Sequence, residues 1–204
     1  MASKAQRIRE KEARRLRKAE EKRQKQQPTR FQHVYSTPDA LAVLGPVVVA
    51  SWSVPAALEE KLAVIGEPAP AAVTGALMID TGASATCISR RAASELGLKP
   101  IRVATTYGAH GARDAHVHLA RLRIVIGHSM SRATTCIDYE CEAQEVKDLE
   151  RFAEAAGLRR GEHPMRLIGL LGRDLLRHAR FQYDGLAGQI DVHFDLGNLV
   201  KRDS

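Results

Sequence analysis

The hydrophobic pattern changes character along the chain. Residues 3–27 are almost entirely Ala, Arg, Lys, Glu and Gln, with Ile8 and Leu16 the only large apolar side chains. Helix propensity is high there and Ser3 is a good cap. No apolar stripe exists to anchor such a helix on a core, so a solvated helical or disordered arm is expected over residues 1–30. Pro28 and Thr29 mark its end, and residues 31–204 are expected to form one folded domain. From there on, short apolar runs alternate with turn residues. Val43–Val54 reads as a strand, Ala56–Ile65 as a short helix and Gly66–Pro70 as a loop. Val73–Asp80 reads as a strand, and another begins at Thr86–Ser89. Arg90–Leu96 has helical spacing, with Gly97 and Pro100 as stop signals. Ile101–Thr106 and Ala115–Ile126 read as two strands around a glycine-bearing hairpin tip over Tyr107–Asp114. Met130–Ile137 is a further strand, and Glu140–Gly157, charged and Ala-rich, reads as a helix. Leu167–Leu171 predicts a buried strand and Asp174–Ala179 a short helix. Phe181–His193 predicts a hairpin turning at Asp184-Gly185. The class expected is mainly β with short helices.

One apolar run leads into a distinctive loop: Leu77-Met78-Ile79-Asp80-Thr81-Gly82-Ala83-Ser84-Ala85-Thr86-Cys87-Ile88-Ser89. Asp-Thr-Gly alone is ordinary turn chemistry. Preceded by three apolar residues and followed by Ala-Ser and a β-prone segment, it resembles the active-site loop of aspartic proteases. The motif occurs once in the chain, which narrows the resemblance to the retropepsin-like (retroviral-type) family, in its bacterial or cellular branch. Downstream, Leu167-Ile168-Gly169-Leu170-Leu171-Gly172-Arg173-Asp174 is similar to the apolar-Gly-Arg-Asp/Asn segment that opens the family's C-terminal helix. Phe181–Gly185 resembles the strand and turn that follow it in bacterial relatives.

The resemblance implies a retropepsin-like acid-protease barrel spanning roughly residues 43–195, with half an active site per subunit. It implies Asp80 as the catalytic carboxylate, Thr81 as the hydroxyl that locks two such loops together and Gly82 as a point of close approach. Ala83, Ser84, Gly172, Arg173 and Asp174 support the site. The hairpin tip Tyr107, Gly108, Ala109, His110 and Gly111 falls where the family's substrate-covering flap lies. Viral members often carry, at the position of Ser84, an Asp that pairs with the arginine matching Arg173. Family members usually join these strands more briefly, so residues 55–72 and 138–166 read as insertions.

The chemistry explains why such residues suit the task. Two carboxylates facing each other cannot both ionise cheaply, so they share one proton. One then acts as general base on a water and the other as general acid. A chain with a single Asp-Thr-Gly supplies one carboxylate, so a homodimer acting on a protein or peptide substrate is expected.

Charge and cysteines refine the picture. The net charge is +7, but residues 1–30 hold twelve Lys/Arg and four Glu, a balance of +8, leaving −1 for the rest. The basic character belongs to the arm, whose residues 4–25 could contact a polyanion or nucleic acid. With no aromatic residue in the arm, base stacking is not implied. No apolar h-region lies near the N-terminus and no apolar run is long enough to span a membrane. Three cysteines, Cys87, Cys136 and Cys141, suggest no disulfide framework, and a cytoplasmic setting is expected. His116 and His118, two apart, share a strand face. They lack recurring partners at metal spacing, and no metal or cofactor is expected. The leading expectation is an aspartic endopeptidase. The alternative is a catalytically idle module of the same fold, recruited to nucleic acid or an acidic partner by the arm.

Overall fold

The computed structural model describes residues 30–34, 38–108, 111–128, 134–147, 149 and 166–195. The elements are β1 (Arg30–Val34), α1 (Pro38–Leu44), β2 (Val47–Ser53), α2 (Ala56–Val64), β3 (Val73–Ile79), β4 (Cys87–Ser89), α3 (Arg90–Glu95), β5 (Arg102–Gly108), β6 (Gly111–His128), β7 (Thr134–Val146), β8 (Leu167–Leu171), α4 (Arg173–Leu176), β9 (Ala179–Asp184) and β10 (Gln189–Phe194).

Alternation builds the strands. In β2, Val48, Ala50 and Trp52 are buried while Val49, Ser51 and Ser53 are partly exposed. In β6, His118, Ala120, Leu122 and Ile124 point inward. The strands pair around a ring in the order β2–β3–β8–β4–β7–β6 and back to β2, so the sheet closes into a six-stranded barrel. Most pairs are antiparallel, but β3–β8 and β4–β7 are parallel. Closure leaves none of these six strands as a bare edge over its full length. Trp52, Leu77, Ile88, Leu122, Leu167, Ile168 and Leu171 fill the core, with Ala50, Ala76, Ala120 and Ala143 as the small partners that let the large side chains fit. A second sheet, β1–β10–β9, adds Ile190, Val192 and Phe194 to the same core. β5 pairs only with β6 and extends the barrel sheet as a hairpin.

Helix α2 buries no residue. Polar contacts hold it instead. The Glu140 carboxylate accepts from the Ala56 N–H at 3.0 Å, and Arg121 joins Glu59 of the helix to the Ser53 hydroxyl. Such exposed contacts are worth about 0–1 kcal/mol each. This helix occupies half of the segment read as an insertion over residues 55–72.

Several expected boundaries shift. Val43 and Leu44 belong to α1, not to a strand. Gly45, at φ +69°, takes the left-handed turn that ends that helix, and the strand begins at Val47. The hairpin strands run further than expected, to Gly108 and from Gly111. The C-terminal short helix covers Arg173–Leu176, with Ala179 already in β9. The largest correction concerns Glu140–Val146, expected as the start of a helix and found as the end of β7. Cys141 and Ala143 are buried while Glu140 and Glu142 are exposed, a period of two that favours pairing with β6. Residue 148 and residues 150–157 of the helix expected over 140–157 lie outside the described residues, as do residues 1–29 of the arm expected over 1–30, whose Arg30 begins β1, and the C-terminal end. No helix among the described residues is long and apolar enough to cross a membrane.

The barrel interior is where stability resides. Leu122→Ala, at a fully buried site, is expected to cost about 2–5 kcal/mol. Val43→Ala, 63% exposed, should stay within about 0.5 kcal/mol. Urea denaturation of both variants checks this.

Candidate active site

Asp80 follows Ile79, the last residue of β3. Its backbone N–H donates to the Leu171 carbonyl at 3.0 Å, so the residue is fixed against the end of β8. One carboxylate oxygen, Oδ1, accepts from the Gly82 N–H at 2.8 Å and the Ala83 N–H at 3.2 Å. Two backbone donors on one oxygen orient the carboxylate. Oδ2 has no partner among the described residues. Asp80 is partly buried, while Thr81, Gly82 and Ser84 are exposed, so the loop presents its surface outward from the barrel.

The loop is tied to the β8–α4 junction at several points. The Arg173 N–H donates to the Ala83 carbonyl at 3.0 Å. The Arg173 guanidinium donates to the Thr81 carbonyl at 2.9 Å and lies 3.3 Å from the Gly82 carbonyl. The arginine therefore has partners despite Ser84 standing where viral members often carry an acid. It holds the backbone of the Asp-Thr-Gly turn directly, and Ser84 takes no part.

Beneath these contacts lies Thr86, fully buried. Its hydroxyl donates to Asp174 Oδ1 at 2.7 Å and accepts from the Gly172 N–H at 3.1 Å. The same Asp174 oxygen accepts from the Leu175 N–H at 2.9 Å within the first turn of α4. Gly172 is required by proximity, because a Cβ there would fall inside the backbone of Ala85 and Thr86. Gly169 meets the Cys87 backbone in the same way. Thr86 is the functional-site residue that sequence reasoning missed. A polar residue inside the run Ala85-Thr86-Cys87-Ile88 was the available signal, since a buried hydroxyl needs partners. Cys87, next to it, is buried, and burial together with the charges of Asp174 and Asp80 pushes its thiol up to about 12, so it stays a neutral core residue.

The Asp-Thr-Gly turn sits on a closed six-stranded barrel and is tied to the Gly-Arg-Asp junction, and this fold is the one that the sequence resemblance implies. A family model described as aspartyl protease matches residues 66–175, just over half of the chain. The chain belongs to the aspartyl protease family. That family is of the retropepsin-like clan, and the barrel agrees with it. A comparison with curated proteins returns no match.

In this aspartyl-protease chain the remaining expected site residues sit apart from Asp80 in sequence, on the β5–β6 hairpin. Tyr107, 85% exposed, and Gly108 end β5, and Gly111 begins β6. Ala109 and His110 lie outside the described residues. His116 and His118 do share a side of the sheet, where both approach the Glu145 carboxylate. Among the described residues no group of three metal-ligating side chains converges.

Thr86→Val keeps the shape of the side chain and removes the oxygen. It leaves the Gly172 N–H without its partner and is expected to cost about 1–3 kcal/mol. Thr86→Ser, which keeps the oxygen, should lose less. Chemical denaturation of the two variants side by side makes the comparison.

Proposed function

We propose that this chain is an aspartic endopeptidase that works as a symmetric homodimer. The observation that carries the reading is the Asp80 carboxylate, held on one oxygen by two backbone N–H groups and, among the described residues, unpartnered on the other. It stands on an exposed turn in a chain of the aspartyl protease family. A two-fold axis beside that turn would set a second Asp80 opposite the first, with one proton shared between them. The ionised carboxylate takes a proton from water as the water oxygen bonds to the scissile carbonyl carbon. The protonated carboxyl gives its proton to the carbonyl oxygen. Collapse of the tetrahedral intermediate returns a proton to the leaving nitrogen, breaks the C–N bond and releases an amine and an acid.

In this reading Thr81, exposed on the turn, faces its counterpart in the other copy. Arg173 sets the turn's height by holding the carbonyls of Thr81 and Gly82. The β5–β6 hairpin, Tyr107–Gly111 at its tip, acts as the flap that covers substrate and excludes water. The N-terminal arm, with its charge of +8 over residues 1–30, serves as a separable polyanion contact.

Asp80→Asn is expected to fold and to lose peptide cleavage by roughly 10²–10⁴-fold or more, because an amide can act as neither base nor acid. Cleavage at wild-type rates would remove the enzyme reading and leave the idle binding module. For the dimer, specific activity should fall on dilution in step with the appearance of monomer in light scattering. A monomer with full activity would exclude the two-fold site.

A further inference from the structure

A groove of about 610 Å³ opens between the β5–β6 hairpin and the ends of β4 and β7. Its walls carry Arg113, Asp114 and His116 from β6, Arg90 from the start of α3, Glu145 from the end of β7 and Lys147 just beyond that strand. None of the residues of the Asp80 turn line it. Arg90 starts α3 directly after β4, and the Asp80 turn enters β4 at its other end.

The charges in this groove are unevenly committed. Glu145, its side chain 10% exposed, accepts from Arg90 Nε at 2.8 Å. The same carboxylate lies 3.3 Å from Nε2 of the buried His118 and 3.8 Å from His116 Nδ1. Burial works against the charge on Glu145, but the hydrogen bonds from Arg90 and His118 outweigh it and hold the carboxyl below its usual range. Asp114 accepts from the Thr105 hydroxyl at 3.2 Å. Elsewhere on the barrel Arg102, Arg121, Arg123 and Arg166 each hold a carboxylate. Arg113 and Lys147 do not: among the described residues neither has an acidic partner, and both line the groove.

We propose that this groove is an exosite for an acidic peptide segment, in which carboxylate side chains flanking the scissile bond of a protein substrate dock on Arg113 and Lys147. The inference rests on the peptidase reading and names the class of substrate. The charge pattern favours a peptide over a nucleic acid. Three cations and two carboxylates line the groove, a balance of +1 with His116 neutral. A backbone of contiguous phosphates would meet Asp114 and Glu145 as well as the cations, and draws its affinity from many neutralised charges. A peptide can space two carboxylates to meet Arg113 on the hairpin and Lys147 just beyond β7 and set polar or apolar residues against the rest. The hairpin forms one wall, so a docked segment also touches the element read as the flap.

The test uses two fluorogenic peptides with the same cleavable segment. One carries an Asp/Glu-rich extension and the other the matching Asn/Gln extension. For the full chain at low salt, the acidic peptide is expected to show a KM about three- to tenfold lower, an advantage that shrinks as salt is raised. In Lys147→Glu, and more completely in the Arg113→Glu/Lys147→Glu double variant, the ratio of the two KM values should approach one or invert. Equal KM values in the unmodified protein, or a ratio unmoved by both variants, would overturn the exosite. Binding of the labelled acidic extension to Asp80→Asn, followed by anisotropy, separates this idea from the peptidase reading. Retained binding that the charge reversals abolish, with no cleavage by any form, would remove the enzyme and keep the groove. Displacement of the extension by millimolar inorganic phosphate as readily as by unlabelled extension would show a simple anion site and overturn the peptide assignment.

Discussion

The Asp80 turn and the β8–α4 junction pass each other at backbone contact, and the rest of the architecture is arranged around that crossing. Gly172 has room for no side chain because Ala85 and Thr86 occupy the space. The Thr86 hydroxyl between the two segments serves both by accepting from Gly172 and donating to Asp174. In a dry interior each of these polar groups would be costly if unpaired. Together they define one relative position of two segments that lie far apart in the chain, and Asp80 inherits its placement from them.

The barrel makes that crossing possible. β8 enters between β3 and β4, parallel to the first and antiparallel to the second. The strand that ends at Asp80 and the strand that leaves the turn therefore flank a third strand that arrives much later. Non-local pairing of this kind carries a loop-closure cost. The apolar contacts of Leu77, Ile88, Leu167, Ile168 and Leu171, all nearly inaccessible to solvent, offset it. Rigidity at the base of the site and exposure at its tip then coexist. Thr86 is buried, whereas Thr81 and Gly82 a few residues away are exposed.

Electrostatics on the barrel surface follows a different logic. Cross-strand pairs such as Arg123–Asp138 and ties such as Arg121–Glu59 place opposite charges side by side and neutralise the surface locally. Helix α2 stays on the barrel through such contacts, since it has no buried side chain of its own. Against this background a short stretch of groove with uncommitted cations stands out as a local departure, and it lies beside the hairpin rather than beside the Asp80 turn.

Local pattern was enough to read the class, the strand that ends at Asp80, the stop at Gly97, the buried strand at Leu167–Leu171 and the hairpin at Asp184-Gly185. In each of these the short-range preference and the packed result agree. The motif around Asp80 and the Gly-Arg-Asp segment were likewise legible, because their residue types are constrained by turn chemistry and by close approach. Other features depended on partners distant in sequence. Glu140–Val146 has the composition of a helix, yet it is a strand because β6 offers a pairing edge and the barrel interior accepts Cys141 and Ala143. Thr86 became part of the site only through Gly172 and Asp174, and Arg173 found its acceptors on the Asp80 turn. The convergence of Arg113 and Lys147 likewise required the barrel to bring β6 and the end of β7 together. The physical reason is common to all of these cases. Periodicity and turn chemistry act over a few residues, whereas which polar group meets which, and which face is buried, is decided by strands that pair across the whole chain.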